Sequence, residues 1–211
     1  MPKQNRVTPY GELIATPARG TLMGNRGCLH NSRQQVVRHH RGKRWITCVL
    51  QFKDRHRAIM TPGHYTELFF LDEATALAAG HRPCAECSRS RFELFRTLWA
   101  SANPDLTDKS APTAGEIDEA LHGERITTTA QKITQQELLA ALPNGSFVAF
   151  HDHQPYLWWE EALLAWNPEG YRRVESRPAD CIVRVLTPPS IVKTFAQGYV
   201  AGVHASAFQE L

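Results

Sequence analysis

The run His81-Arg82-Pro83-Cys84-Ala85-Glu86-Cys87 constrains this chain more than any other stretch. Two thiols two residues apart can turn both sulfurs toward one point, as one knuckle of a tetrahedral metal site requires. Both flanks read as helices. Asp72 stands before the alanine-rich EATALAA and Gly80 after it, the usual cap residues of a short helix. After the thiols, Phe92, Phe95 and Trp99 repeat at helical spacing, with Leu94 and Leu98 alongside. A helix that starts at a cysteine favours thiolate, the form that binds metal. A CxxC provides only half a ligand set, so the rest must come from elsewhere in the sequence.

Cysteine usage sets the chemistry. Five cysteines (28, 48, 84, 87 and 181) in a chain opening MPKQNRVTPYGEL, without an apolar export signal, argue for reduced thiols in a cytoplasmic protein. No thioredoxin-like βαβ pattern surrounds the CxxC, which favours metal over redox use. No run approaches about 20 apolar residues, so no membrane span is expected.

Charge is uneven. Residues 1–60 hold 12 Lys and Arg against Glu12 and Asp54, a balance of +10, while the remainder carries −7, which leaves the net +3. The densest basic run is Arg38-His39-His40-Arg41-Gly42-Lys43-Arg44. It makes Arg38, Arg41, Lys43 and Arg44 candidate contacts to DNA or RNA phosphates. The competing reading is a solvated hairpin tip that offsets the acidic remainder.

The predicted fold is α+β. Residues 1–20 read as irregular, and the glycines of 20–33 as turns. Residues 45–52 are β-prone, with Ile46, Cys48, Leu50 and Phe52 on one face, and are expected to form a hairpin with 56–60. A linker follows at 101–115, then a short helix at 116–122. The capping-box pattern Thr134-Gln135-Gln136-Glu137 predicts another helix. From Ser146 the character turns to short strands in a meander, and Ser190 is placed to cap a last helix ending at Gly198. The expected organisation is a zinc-knuckle unit with hairpin and helices (1–100), a helical linker region (101–145) and a small β-meander (146–211).

The run from Phe69 to Cys87, FFLDEATALAAGHRPCAEC, resembles the second half of the Ada-type zinc-binding domain. That family has an apolar strand, a helix of the EALAAG kind and then (F/Y)RPCxxC carrying two zinc ligands. The resemblance covers about 20 residues (68–87) and implies zinc as the cofactor. In the family four cysteines hold the ion, and one accepts a methyl group from DNA phosphotriesters. The family's first pair, CxxxC, has no match here. Cys48 is the counterpart of its first thiol, and Phe52 stands at the place of the next.

The candidate ligand set is therefore Cys84, Cys87 and Cys48 with His30 from the glycine-rich GCLH loop; Cys28, His39, His40 and His64 are also chemically suitable. Cys48 has a competing reading as core, since it shares a face with Ile46, Leu50 and Phe52. Replacing a thiolate by imidazole lowers the nucleophilicity of the others, so a structural zinc that presents the basic segment to nucleic acid is the leading expectation. The alternative is a zinc-dependent enzyme on DNA: alkyl transfer to a zinc-bound cysteine, or a nuclease using His39 or His40 as base. His151-Asp152-His153 reads as a polar turn. Trp158, Trp159, Trp166, Tyr156 and Tyr171 read as core more than as base-stacking surface.

Overall fold

Short β-prone runs broken by glycine and proline build two sheets in the computed structural model, which describes residues 1–53, 58–174 and 180–209. The first sheet contains β1 (Gln4–Val7), β2 (Leu13–Ala15), β3 (Leu22–Asn25), β4 (Ile46–Cys48), β5 (Leu68–Phe70) and β6 (Arg82–Pro83), in the order β2-β1-β5-β3-β4-β6. The second contains β7 (Gln135–Leu138), β8 (Phe147–Ala149), β9 (Pro155–Trp159), β10 (Ala162–Asn167), β11 (Gly170–Arg173) and β12 (Ile182–Val185), in the order β11-β10-β9-β8-β12-β7. Four helices accompany them: α1 (Glu73–Ala78), α2 (Arg89–Ala102), α3 (Ala114–Arg125) and α4 (Pro189–Ala196). The class is α+β, as predicted. Among the described residues no helix is long and apolar enough to cross a membrane.

Three local expectations are corrected. Residues 1–20 are not irregular: β1 and β2 form an antiparallel hairpin closed at Gly11, whose N–H donates to the Thr8 carbonyl at 2.8 Å. The strand at 45–52 shortens to β4 and pairs with β3; of the expected partner 56–60, residues 56 and 57 lie outside the described residues, and 59–60 form a turn. Gly24 explains the choice of partner. A Cβ there would sit 2.1 Å from the Ile46 carbonyl oxygen, so only glycine lets β3 approach β4 so closely. The Thr134 pattern opens no helix, because residues 135–138 pair residue by residue with β12, and this tertiary pairing overrides local propensity. The working capping box is Thr113 with Glu116, which starts α3.

α1 is buried on every side. Ala76 and Ala79 pack with Val7, Leu68 and Phe70 of the first sheet, while Ala74, Leu77 and Ala78 join a larger core with α2, α3, α4 and one face of the second sheet. Trp166 and Tyr171 belong to that larger core, and Trp158 and Tyr156 to the core on the sheet's other face. The start of α1 is pinned by polar contacts. Asp72 accepts from the Thr75 N–H (2.8 Å), the Tyr171 hydroxyl (2.7 Å) and the His204 N–H (2.9 Å), and Glu73 from Arg91, the Tyr199 hydroxyl (2.6 Å) and the Gly202 N–H (2.8 Å).

The end of α1 leads into a buried cationic joint. Gly80 has a left-handed φ of +84° and touches Arg125, whose Cβ would lie 2.7 Å from an added methyl. The guanidiniums of Arg26 and Arg125 lie over the Trp45 ring at 4.0 and 4.1 Å. Arg26 Nε donates to His81 Nε2 at 2.8 Å, and the other ring nitrogen, Nδ1, meets the Ile46 carbonyl at 3.2 Å. These partners fix the neutral tautomer protonated on Nδ1. Burial, followed by the Arg26 charge, lowers the His81 pKa well below its ordinary value.

Lys132 closes the joint, donating to the Ala78 carbonyl. Burial, then the charges of Arg26 and Arg125, lowers its ammonium to about 7. In the unfolded chain lysine titrates near pH ~10.4, so the unfolded state binds the extra proton between these values. Stability is therefore greatest at high pH, declines as pH falls toward 7, and is level below it. Urea unfolding should show wild-type stability rising from pH 7 to 9.5, with a markedly smaller rise in Lys132→Met. By the same measurement, Gly24→Ala should destabilise by about 2–3 kcal/mol, because its methyl overpacks against backbone.

Candidate metal centre

Strand register brings the thiols together. β4 runs parallel to β6, with Ile46 opposite Arg82 and Thr47 opposite Pro83, so Cys48 and Cys84 leave the two strands side by side. The Cys84 N–H donates to the Thr47 carbonyl at 2.9 Å, and the Arg82 N–H to the Trp45 carbonyl at 3.1 Å. Pro83 is tolerated because β6 is an edge strand with no further ladder to serve. Cys87 turns back from the segment leading into α2. The three Sγ atoms all lie within 4.8 Å of one another, and none is in a disulfide.

The surroundings suit a thiolate centre. Backbone N–H groups point at sulfur: Glu86 to Cys84 at 3.4 Å, Cys87 to Cys84, and Val49 to Cys87. Hydrogen bonds from Cys48 and then from this backbone hold the Cys84 thiol well below its ordinary range, while Cys48, the donor to it, is pushed up. Desolvation raises Cys87. Three sulfurs at this separation, with amide donors spreading their charge, fit a tetrahedral ion, whose ligands at a metal–sulfur distance of about 2.3 Å sit ~3.8 Å apart. The thiols of Cys48, Cys84 and Cys87 can therefore hold a metal ion. Cys48, also legible as core, belongs to this group.

His30 does not. Its ring is buried in the loop, with Nδ1 at 2.6 Å from Thr66 Oγ1 and Nε2 at 3.2 Å from the Thr61 carbonyl. Both nitrogens are thus committed to fixing residues 28–30 against 61–66, and imidazole has none left for a metal. Cys28 donates to the His30 carbonyl, and His64 is exposed on a turn. His40 packs against His122 and Trp45, 5.1 and 5.8 Å between centroids, with Nδ1 by the Gly42 carbonyl. Among the described residues no fourth Cys, His, Asp or Glu joins the three thiols.

The sulfurs open on a cavity of about 640 Å³ whose walls include Met23, Ile46, Phe69, Glu67, Arg44 and Arg82. Arg82 is already paired bidentately with Asp118, at 3.0 and 2.7 Å. Arg44 also lines an adjoining groove of about 580 Å³, with Arg41, Lys43 and the first residues of α3. All four basic candidates are exposed, but Arg38 lines neither hollow, and Lys43 pairs with Glu119 at 2.5 Å. Sequence reasoning missed Glu67. The alternation that puts Leu68 and Phe70 in the core puts Glu67 and Phe69 on the other face, so the signal lay one residue before the apolar run.

No protein-family model matches the chain, and no curated protein or solved structure is significantly similar to it. Cys48→Ser, Cys84→Ser and Cys87→Ser should each remove most of the bound metal, whereas His30→Ala should keep it. Metal per chain by mass spectrometry of the purified variants tests both halves; a metal-free His30→Ala would restore the histidine as a ligand.

Proposed function

We propose that this is a zinc protein in which Cys48, Cys84 and Cys87 hold the ion and a basic rim above them binds nucleic acid. The observation that carries the reading is the chain path. Arg41, Lys43 and Arg44 stand immediately before the strand that delivers Cys48, and Arg44 lines the cysteine cavity. A set of soft thiolates favours zinc over hard cations. The resemblance of residues 68–87 to the Ada-type zinc-binding domain supports the same ion, and a site of three reduced thiols suits the cytoplasm. When bound, the zinc cross-links the end of β4 to the knuckle. The chain's own part is to hold the sulfurs by register and amide donors, and to keep the basic rim beside them.

Phosphate contacts of this kind release counterions, so affinity should fall steeply with salt. Fluorescence anisotropy with single- and double-stranded oligonucleotides should give measurable binding at low salt. Arg41→Ala/Arg44→Ala should reduce the slope of log affinity against log salt by about 2 without loss of metal. Negligible binding of DNA and RNA at low salt sinks the reading.

A second reading, alkyl transfer to a zinc-bound thiolate, is favoured by the opening of the sulfurs onto a cavity. In that step the alkyl carbon–oxygen bond of a phosphotriester breaks, a carbon–sulfur bond forms, and the phosphodiester leaves as an anion. One added methyl on a cysteine after exposure to methylphosphotriester DNA would identify it. His39 and His40 line neither hollow, so the nuclease reading finds no geometric support.

A further inference from the structure

The cysteine cavity is also lined by a group with an unmet hydrogen bond. Glu67 is 4% exposed and lines the cavity wall. Its Oε2 accepts the Met60 N–H at 2.7 Å, while Oε1 is buried and has no hydrogen-bond partner among the described residues. A buried carboxylate oxygen without a donor is costly, and a carboxylate only accepts, so the missing partner must be an N–H or O–H. Next to it the wall is apolar and aromatic, from Phe69, Ile46 and Met23. The volume of about 640 Å³ lies within the range of small-molecule sites.

Charge narrows the ligand further. Three thiolates around a divalent cation leave the centre net negative, and Glu67 adds to this. The interior is therefore acceptor-rich, while Arg44 and Glu86 are the exposed charged residues of its lining, and of the two only Arg44 can meet an anion. A molecule that fits both must offer a donor inside and an anion outside. A bare phosphate would be opposed within.

We propose that this cavity binds a nucleobase bearing an amino group. With a turn of the side chain into the cavity, Glu67 Oε1 accepts the amino N–H, the Phe69 side of the wall packs on the ring, and Arg44 meets the attached phosphate. The phosphate half rests on the nucleic-acid reading above; the base half rests on Glu67. The same chemistry is available from an unpaired base of a strand, turned out of its stack, or from a free nucleotide.

The test uses full-length zinc-loaded protein and competition anisotropy. The single-stranded competitors carry at one central position, in otherwise abasic flanks, cytosine, 2-pyrimidinone (cytosine without its amino group) or an abasic residue. CMP and ribose 5-phosphate are titrated separately by calorimetry. Cytosine should bind about 10-fold or more tighter than 2-pyrimidinone, as expected for a hydrogen bond to a charged acceptor. Glu67→Gln turns a donor toward the cavity while its carbonyl oxygen can still serve the Met60 N–H. It should abolish that preference and leave both metal content and affinity for the abasic strand unchanged.

Equal binding of cytosine and 2-pyrimidinone strands to wild type overturns the proposal, and the nucleic-acid reading survives. That comparison stands even if Glu67→Gln does not fold. A preference retained by a folded Glu67→Gln overturns it as well. Binding of CMP but of no strand supports the base site with a free nucleotide as the source. Failure of every strand and of CMP removes both readings.

Discussion

The packing of Trp45 against two buried guanidiniums is the contact on which the three-cysteine site depends. Trp45 is the residue before β4, and its carbonyl takes the Arg82 N–H that starts the pairing with β6. Holding the indole between Arg26, Arg125 and His81 therefore sets where β4 begins. With a parallel ladder and a fixed start, Cys48 can only emerge beside Cys84. A slip of one residue would turn the thiol to the opposite face. Concentrating Arg26, Arg125 and Lys132 in the interior is costly, because each loses hydration and repels the others. The cost is offset by carbonyls at the ends of the local elements: Arg125 donates to Gly80 at 2.9 Å and to Lys43 at 2.5 Å, and Lys132 to Ala78. These acceptors lie at the C-terminal end of α1 and just before Trp45, where backbone oxygens are left over once the elements end.

The opposite end of α1 carries the matching anions. Asp72 and Glu73 are buried, and donors from Tyr171, Tyr199 and residues 202–204 reach them from the far end of the sequence. Burial raises the Asp72 pKa, and the bonds from Thr75, Tyr171 and His204 oppose that rise. A six-residue helix has little stability of its own. It is held by charge satisfied at each end and by apolar packing on both flanks, which gives the knuckle that follows a fixed take-off point.

This division explains what could be read from the sequence. The α1–knuckle–α2 run was legible because its signals are local: Asp72, Gly80, the CxxC and the spacing of Phe92, Phe95 and Trp99 all act within a few residues. Cys48 was reachable because a β-prone segment ended in a thiol. Its strand partner was not, since that depends on Gly24 meeting Ile46 across 22 residues of chain, a steric fact with no local signature. His30 misled for the converse reason. Its chemistry suits a metal, but Thr61 and Thr66, distant in sequence, claim both ring nitrogens first. Thr134-Gln135-Gln136-Glu137 satisfied every local rule for a helix start and became a strand because β12 offered a complete set of backbone partners.

The polarity of the site follows from how little of its charge is local to it. From its composition alone, the +10 segment is expected to make the whole centre basic. Yet within it Arg6 and Arg26 turn inward and Lys43 pairs with Glu119, while among its described residues Arg44 lines the cysteine cavity and Arg41 the adjoining groove; Arg82, from outside the segment, also lines the cavity but is paired with Asp118. The three sulfurs and the Glu67 carboxylate line the same cavity as Arg44. If the proposed base site holds, a ligand is selected by the order of its charges along its length, donor first and anion second, and not by net charge alone. Net composition predicts attraction to phosphate, but it does not show that Arg6 and Arg26 place their charge in the interior.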